Sequence, residues 1–310
     1  MTTAPIRVAV IGMGKIARDQ HLPSIAGNAA FALAATVSPN GPGVDNIPHF
    51  RSLEALIADG PPVDAVALCS PPQVRYDLAA RSIATGIHVF LEKPPGATLA
   101  EVATLDDQAR AAGVTLFASW HSRYAAGVEP ARAWLADKRI GRVAITWRED
   151  VRHWHPGQAW IWEPGGLGVF DPGINALSIA THILPRPFFL TSGTLSTPAN
   201  RAAPIAAELQ FRDTAGVPIT MDLDWRQTGP QNWDISVETQ AGVCLLSGGG
   251  AVLTLPDGRQ ESEDREYSGL YARFAALISD GASDVDTSPL RLVADAFLRG
   301  RRETVERFDD

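Results

Sequence analysis

Along the first 120 residues, short apolar runs alternate with segments of helical period. The runs are Ile6–Ile11, Phe31–Val37, Ala65–Cys69, Ile87–Leu91 and Val114–Ala118. They lack polar alternation, as expected of strands covered on both faces. The punctuation between them is explicit. Thr98 and Glu101 read as a capping box ahead of a helix that stops at Gly113. Another helix reads from Pro72 to Thr85 and stops at Gly86. Strand–helix alternation of this kind predicts a parallel, doubly wound sheet.

The pattern changes after Trp120. Val217, Ile219, Met221, Leu223 and Trp225 alternate with polar residues, and Trp233, Ile235 and Val237 do the same. A period of two predicts an antiparallel sheet with one wet face. Asp213-Thr214-Ala215-Gly216 and Pro256-Asp257-Gly258 read as turns. Two helices follow, one over about Tyr267–Ser279 and one from Ser288-Pro289 (cap, then proline at the first helical position) to about Arg302.

Composition narrows the function classes. The chain has 310 residues, enough for two domains, and a net charge of −8. That balance argues against nucleic acid and against an anionic membrane surface as main partners. No apolar run approaches the length needed to span a bilayer. Cys69 and Cys244 both lie in apolar runs and read as buried small hydrophobes, with no metal spacing and no disulfide framework. The first strand begins near Ile6, so no signal peptide is expected and the expected location is the cytoplasm. Lysine occurs only at 15, 93 and 138.

Two of those lysines fall in the stretches that carry chemistry. Gly12-Met13-Gly14-Lys15-Ile16-Ala17 is a GxGxxA fingerprint directly after the first strand. Its glycines let backbone N–H groups approach a pyrophosphate at a helix N-terminus. The first domain is therefore expected to be an α/β Rossmann dinucleotide-binding domain. Val37-Ser38-Pro39-Asn40 ends the second strand without the Asp or Glu that accepts from a ribose 2′-OH. NADP is therefore expected to be accepted beside NAD, with a mild preference, and Ser38 is a candidate donor to the 2′-phosphate. Ser70-Pro71-Pro72 ends a strand at the carboxyl edge, where it is either a cofactor contact or a plain turn. Glu92-Lys93-Pro94 ends a later strand of the same sheet, where the reacting end of a dinucleotide could lie.

In the second half, Asp171-Pro172-Gly173-Ile174-Asn175 stands out. Taken alone, Asp171 before Pro172 is a helix N-cap. Asn175 lies four residues on, so a helix would set its amide beside the Asp171 carboxylate. The approach, Glu163-Pro164-Gly165-Gly166-Leu167-Gly168, is glycine-rich and reads as a loop that lets a substrate come close. Trp147, Trp154, Trp160 and Trp162 cluster nearby. Most of the chain's tryptophans read as core, and Trp154, between His153 and His155, reads least so. No third ligand accompanies those histidines at metal spacing, so no metal is expected.

The GxGxxA fingerprint, Glu92-Lys93-Pro94 and the aspartate at a helix start in the second half together resemble the Gfo/Idh/MocA oxidoreductase family. The stretches Lys15–Pro23, Trp120–Arg123, Glu149–Gln158 and Trp160–Leu177 resemble a branch of it that oxidises L-arabinose and D-galactose at C1. The resemblance implies a Rossmann domain over 1–122 and an α+β domain with a large, mostly antiparallel open sheet over 123–310, its last helix packing back on the first. It implies oxidation of an aldopyranose (L-arabinose, D-galactose or D-fucose) to the lactone, with NADP or NAD as hydride acceptor. Cofactor contacts carried over are Gly12, Met13, Gly14, Lys15, Ile16, Ser38, Ser70, Pro71, Pro72, Glu92, Lys93 and His121. Sugar contacts carried over are Lys93, His121, Glu149, His153, Trp154, Asp171, Asn175 and Trp233. Lys93, Asp171 and Asn175 form the catalytic set. Asp171 serves as base with Lys93 as electrostatic partner, or the two exchange roles. A homodimer through the outer face of the second sheet is also implied. Two rivals stay open: a same-fold enzyme acting on another polyol or carbonyl, and a cofactor-binding regulator without chemistry.

Overall fold

The structure is a computed structural model and describes residues 4–309. The chain divides into two units, one of residues up to Trp120 with Tyr267–Thr287, the other of His121–Glu266 with residues from Ser288 onward. The chain leaves the first unit at Trp120, and the segment that returns to it is Tyr267–Thr287. The final helix, Ser288–Arg299, belongs to the second unit and packs there against the helix Phe170–Ile183.

In the first unit, the apolar runs form β1 (Ile6–Ile11), β2 (Phe31–Val37), β4 (Ala65–Leu68), β5 (His88–Leu91) and β6 (Leu116–Ala118), with a two-residue β3 (His49–Phe50) at the edge. The six-stranded sheet has order β3-β2-β1-β4-β5-β6, and every pairing is parallel. Strand order reverses between β1 and β4, and ligands of such sheets bind outside the carboxyl ends at that point. Val8, Ala9, Val10 and the whole of β4 are fully buried, which explains why these strands show no alternation. The helix Leu99–Ala112 carries the predicted capping box and ends at Gly113 in the left-handed region.

In the second unit a nine-stranded sheet comprises β7 (Ile140–Arg148), β8 (Phe188–Pro198), β9 (Ala206–Asp213), β10 (Pro218–Asp224), β11 (Asn232–Thr239), β12 (Gly242–Ser247), β13 (Val252–Leu255), β14 (Gly258–Glu261) and β15 (Arg301–Val305). Its order is β14-β13-β12-β11-β7-β10-β9-β8-β15. Most pairings are antiparallel, but β10–β7 and β15–β8 are parallel. The alternation expected along β10 is present, with Ile219, Met221 and Leu223 inward. The last helix ends at Arg299 rather than near Arg302, because the next residues peel off as β15. A side chain at Gly300 would meet the Ala296 carbonyl at 2.5 Å. Among the described residues no helix is long and apolar enough to cross a membrane.

Candidate active site

In the first unit the fingerprint turn sits at the switch point. Gly12 has φ +94°, and a Cβ there would lie 2.8 Å from the backbone of Cys69 and Ser70 at the end of β4, so the turn admits only glycine. A Cβ on Gly14 would meet nothing within 4 Å, leaving its backbone open to a ligand. Met13 is buried, while Lys15 and Ile16 are exposed and Lys15 pairs with Asp19. Ser70 Oγ is buried without a hydrogen-bond partner at the carboxyl edge. Pro71 is exposed, and Pro72 is buried at the first position of the helix Pro72–Ala84. The tight turn, open Gly14 backbone and orphaned Ser70 hydroxyl fit a dinucleotide pyrophosphate.

At the end of β2, Ser38 Oγ accepts from the Gly41 amide at 3.1 Å. Two arginines reach the same loop from elsewhere: Arg18 donates to the Pro42 carbonyl at 2.6 Å and Arg51 to the Pro39 carbonyl at 2.5 Å. Neither follows β2 directly in sequence: Arg18 comes from the fingerprint helix and Arg51 from beyond β3.

Glu92 and Lys93 follow β5. Glu92 is buried, and Lys93 is half-buried and joined to Pro94 by a cis peptide bond. Glu92 Oε1 accepts from Tyr267 Oη at 2.8 Å and lies 3.0 Å from His21 Nε2, while Oε2 accepts from the Lys93 amide at 2.8 Å. His21 Nδ1 is 2.8 Å from Tyr271 Oη. Burial opposes a charge on His21 most strongly, but Cys69, Tyr271 and Glu92 outweigh it and hold its pKa well above the ordinary imidazole value. Buried Arg75 donates to the carbonyls of Ser70, Glu92 and Pro94.

In the second unit the site-forming face is built at the carboxyl ends of β7 and β10. Trp233 on β11 pairs with Trp147 on β7, and their rings stack at 6.0 Å. Two residues past Trp147 comes Glu149, on the same face. It is only 3 % exposed, and its carboxylate accepts from Trp225 Nε1 at 3.1 Å and Trp233 Nε1 at 2.8 Å. Asp171 is 2 % exposed in the first turn of the helix Phe170–Ile183. His155 Nε2 stands 3.7 Å from Glu149 Oε1 and 3.7 Å from Asp171 Oδ2, and its Nδ1 is buried without a partner. Two carboxylates and an imidazole thus form a row against an indole wall, with Trp154 5.0 Å from Trp233.

Several expectations are corrected here. Asp171 is not the N-cap: the helix begins at Phe170 with Val169 in the cap position, because Asp171 is already inside the first turn. Gly166 and Gly168 do not open a path for a ligand. A Cβ on Gly166 would lie 2.3 Å from the Trp160 carbonyl, and one on Gly168, at φ +53°, would lie 2.3 Å from the Pro204 carbonyl, so both are small to admit the chain's own backbone. His153 is exposed and packs edge-on against Trp154 at 4.9 Å, whereas His155 is the histidine placed with the carboxylates. Asp150 caps the short helix Val151–Trp154, accepting from Arg152 N at 3.0 Å, so His153 falls on its outer turn and His155 beyond its end. That cap is the sequence signal that distinguishes the two. Asn175 is half-buried on the same helix as Asp171, and its carbonyl accepts from Ser178 Oγ at 2.7 Å. His121 is half-buried, pairs with Glu266 and lies 3.3 Å from Ser122 Oγ.

A galactose 1-dehydrogenase from Pseudomonas fluorescens is 47 % identical to this chain over 309 residues, 99 % of each. The chain belongs to the Gfo/Idh/MocA oxidoreductase family. The model of that family, described as an oxidoreductase family with an NAD-binding Rossmann fold, matches residues 6–119. The solved structure of a D-galactose-1-dehydrogenase from Rhizobium etli shares 57 % identity and superposes with a TM-score of 0.95 over 100 % of this chain and 99 % of the other. A 3-ketoreductase from Actinomadura kijaniata, solved with NADP, shares 18 % identity with a TM-score of 0.84 over 98 % of this chain and 100 % of its own, a likeness of fold. Family membership makes the first unit a nicotinamide-dinucleotide domain, which its open Gly14 backbone and constrained Gly12 turn fit.

Proposed function

We propose that this chain oxidises an aldopyranose at C1 to the aldonolactone, with D-galactose, L-arabinose and D-fucose as substrates. The bound dinucleotide supplies the hydride acceptor. Asp171 takes the proton of the C1 hydroxyl, as C–H oxidation at that carbon requires a base. Lys93 donates to the developing alkoxide and stabilises its charge. Asn175, one helical turn beyond Asp171, hydrogen-bonds the same hydroxyl without titrating. Glu149 and His155 accept from and donate to ring hydroxyls, and Trp154 and Trp233 cover a C–H face of the sugar. His121 completes the polar contacts, and His153 stands outside them.

The observation that carries this reading is the row Glu149–His155–Asp171 against indole rings, in a chain 47 % identical to a galactose 1-dehydrogenase. The three sugars share C1–C4 stereochemistry, so a site that reads those hydroxyls accepts all three. Arg18 and Arg51 at the loop after β2, with Ser38, favour a 2′-phosphate, so NADP serves beside NAD with a mild preference for NADP. The same reading includes a homodimer through the outer face of the nine-stranded sheet and a cytoplasmic location.

Initial rates with D-galactose, L-arabinose, D-fucose, D-glucose and myo-inositol, each with NADP and NAD, test the reading. Turnover of the first three and slow turnover of the rest is expected. Oxidation of myo-inositol without oxidation of any of the three aldoses overturns it.

A further inference from the structure

We propose that His21 is a positioning residue for Lys93, acting through the carboxylate of Glu92. The proposal rests on the reading above that Lys93 acts on the C1 hydroxyl. His21 and Glu92 have side chains 0 % and 4 % exposed and lie 3.0 Å apart. Burying such a pair does not by itself stabilise a fold, since apolar packing of equal volume often does as well or better. Its consequence must be sought in geometry.

That geometry ends at Lys93. One Glu92 oxygen is held by His21 and Tyr267, which fixes the carboxylate plane, and the other accepts from the Lys93 amide. The flanking carbonyls of Glu92 and Pro94 are both taken by Arg75. The backbone on either side of Lys93 is therefore pinned at successive polar groups, and the Glu92 carboxylate is the pin that touches Lys93 itself. His21 sets it from a distinctive place, the last residue of a π-turn, Ala17–His21, inside the helix that follows the glycine fingerprint. Such turns recur at functional sites. The helix that meets the dinucleotide and the lysine expected beside its reacting end are thus joined by one buried contact. A mere clasp, tying the helix Glu266–Asp280 to the sheet through Tyr267 and Tyr271, would use the same atoms without affecting Lys93.

The three lysines make the distinction measurable. Reductive 13C-methylation of the cofactor-free protein gives one side-chain NMR signal set per lysine, and Lys93→Arg assigns the one of interest. In His21→Leu, the donor to Glu92 is lost while apolar volume is kept. The Lys93 signal should shift or broaden, while those of Lys15 and Lys138 stay in place. His21→Gln, which keeps a donor near the place of Nε2, should restore it. Turnover of D-galactose by His21→Leu should fall about 10–100-fold, with NADP affinity within about threefold of wild type, and His21→Gln should recover most of it. A folded His21→Leu protein in which either the Lys93 signal or kcat matches wild type overturns the proposal and leaves only the clasp. Should His21→Leu not fold, Tyr267→Phe removes another donor from the same Glu92 oxygen. Its Lys93 signal should move in the same direction, and an unmoved signal overturns the proposal. If wild type oxidises no aldose, the reaction assigned above falls, while the cofactor-free NMR comparison still decides whether His21 positions Lys93.

Discussion

The two units each bury a carboxylate among aromatic residues, and they treat it differently. In the first, Glu92 has partners on both oxygens: His21 and Tyr267 on one, the Lys93 amide on the other. In the second, Glu149 accepts two indole N–H groups, but its histidine neighbour stands at 3.7 Å, beyond hydrogen-bond distance, with a buried nitrogen that has no partner. A buried polar group left unpaired costs free energy, and on the proposed reading a polar ligand supplies the missing partner of the second set. On that reading the satisfied Glu92 set gives rigid placement, and the Glu149–His155–Asp171 set gives recognition.

The largest effects should come from removing the groups assigned to the chemistry. Asp171→Asn and Lys93→Met should each lower kcat by about 10²–10⁴-fold while melting temperatures stay near wild type. A variant with near wild-type turnover removes its residue from the mechanism. Next, Glu149→Ala leaves the buried Trp225 and half-buried Trp233 indole donors without an acceptor. It should lower stability by about 1–3 kcal/mol and kcat/KM for D-galactose by about 10–100-fold, read by denaturant melts and initial rates. In the same assay His155→Ala should cost about tenfold and His153→Ala almost nothing. Equal losses at both positions would erase the distinction between them.

Smaller again is the cofactor effect. Ser38→Asp places an anion at the end of β2, where it accepts from a ribose 2′-OH and repels a 2′-phosphate. The ratio of kcat/KM for NADP over NAD should fall about tenfold or more. An unchanged ratio would mean that this loop does not meet the ribose.

The smallest change is a control in the second unit, away from the row of carboxylates. Burial would raise the Asp213 pKa, but the amides of Val217 and Ala215 and the Arg186 guanidinium outweigh it and hold this carboxyl below its ordinary range. A depressed carboxylate contributes stability that is present above its unfolded pKa and is lost as pH falls through the folded one. Asp213→Asn should therefore cost about 1–2 kcal/mol at neutral pH, with the melting curves of variant and wild type converging in acid and activity preserved. A constant gap at every pH would contradict that assignment.

Much of the architecture was legible because burial imposes pattern. Strands buried on both faces, such as β1 and β4, read as unbroken apolar runs, and β10 and β11 read as alternation. The capping box at Thr98 and the left-handed Gly113 place the helix Leu99–Ala112 by local chemistry alone. The two-residue edge strand β3 has no length over which to show a period, and β15, Arg301–Val305, is an exposed polar edge strand with no apolar pattern. Gly12 was legible because its tight strand-to-helix turn excludes a side chain, whereas the role of Gly166 and Gly168 depended on carbonyls that only the fold brings near. The same holds for the contacts of Glu92. Positions 21 and 92 are 71 residues apart and positions 92 and 267 are 175 apart, and no spacing rule joins them. Choosing between His153 and His155 required the cap at Asp150, a one-turn feature whose consequence is a change of direction after Trp154.

The most direct test is which carbon loses hydride. D-Galactose labelled with 13C at C1, incubated with enzyme and NADP and followed by 13C NMR, should show the anomeric signals giving way to that of a lactone carbonyl, then of the open-chain acid, in step with NADPH formation. Cofactor reduction with the anomeric signals intact, and a ketone appearing elsewhere on the ring, would contradict oxidation at C1.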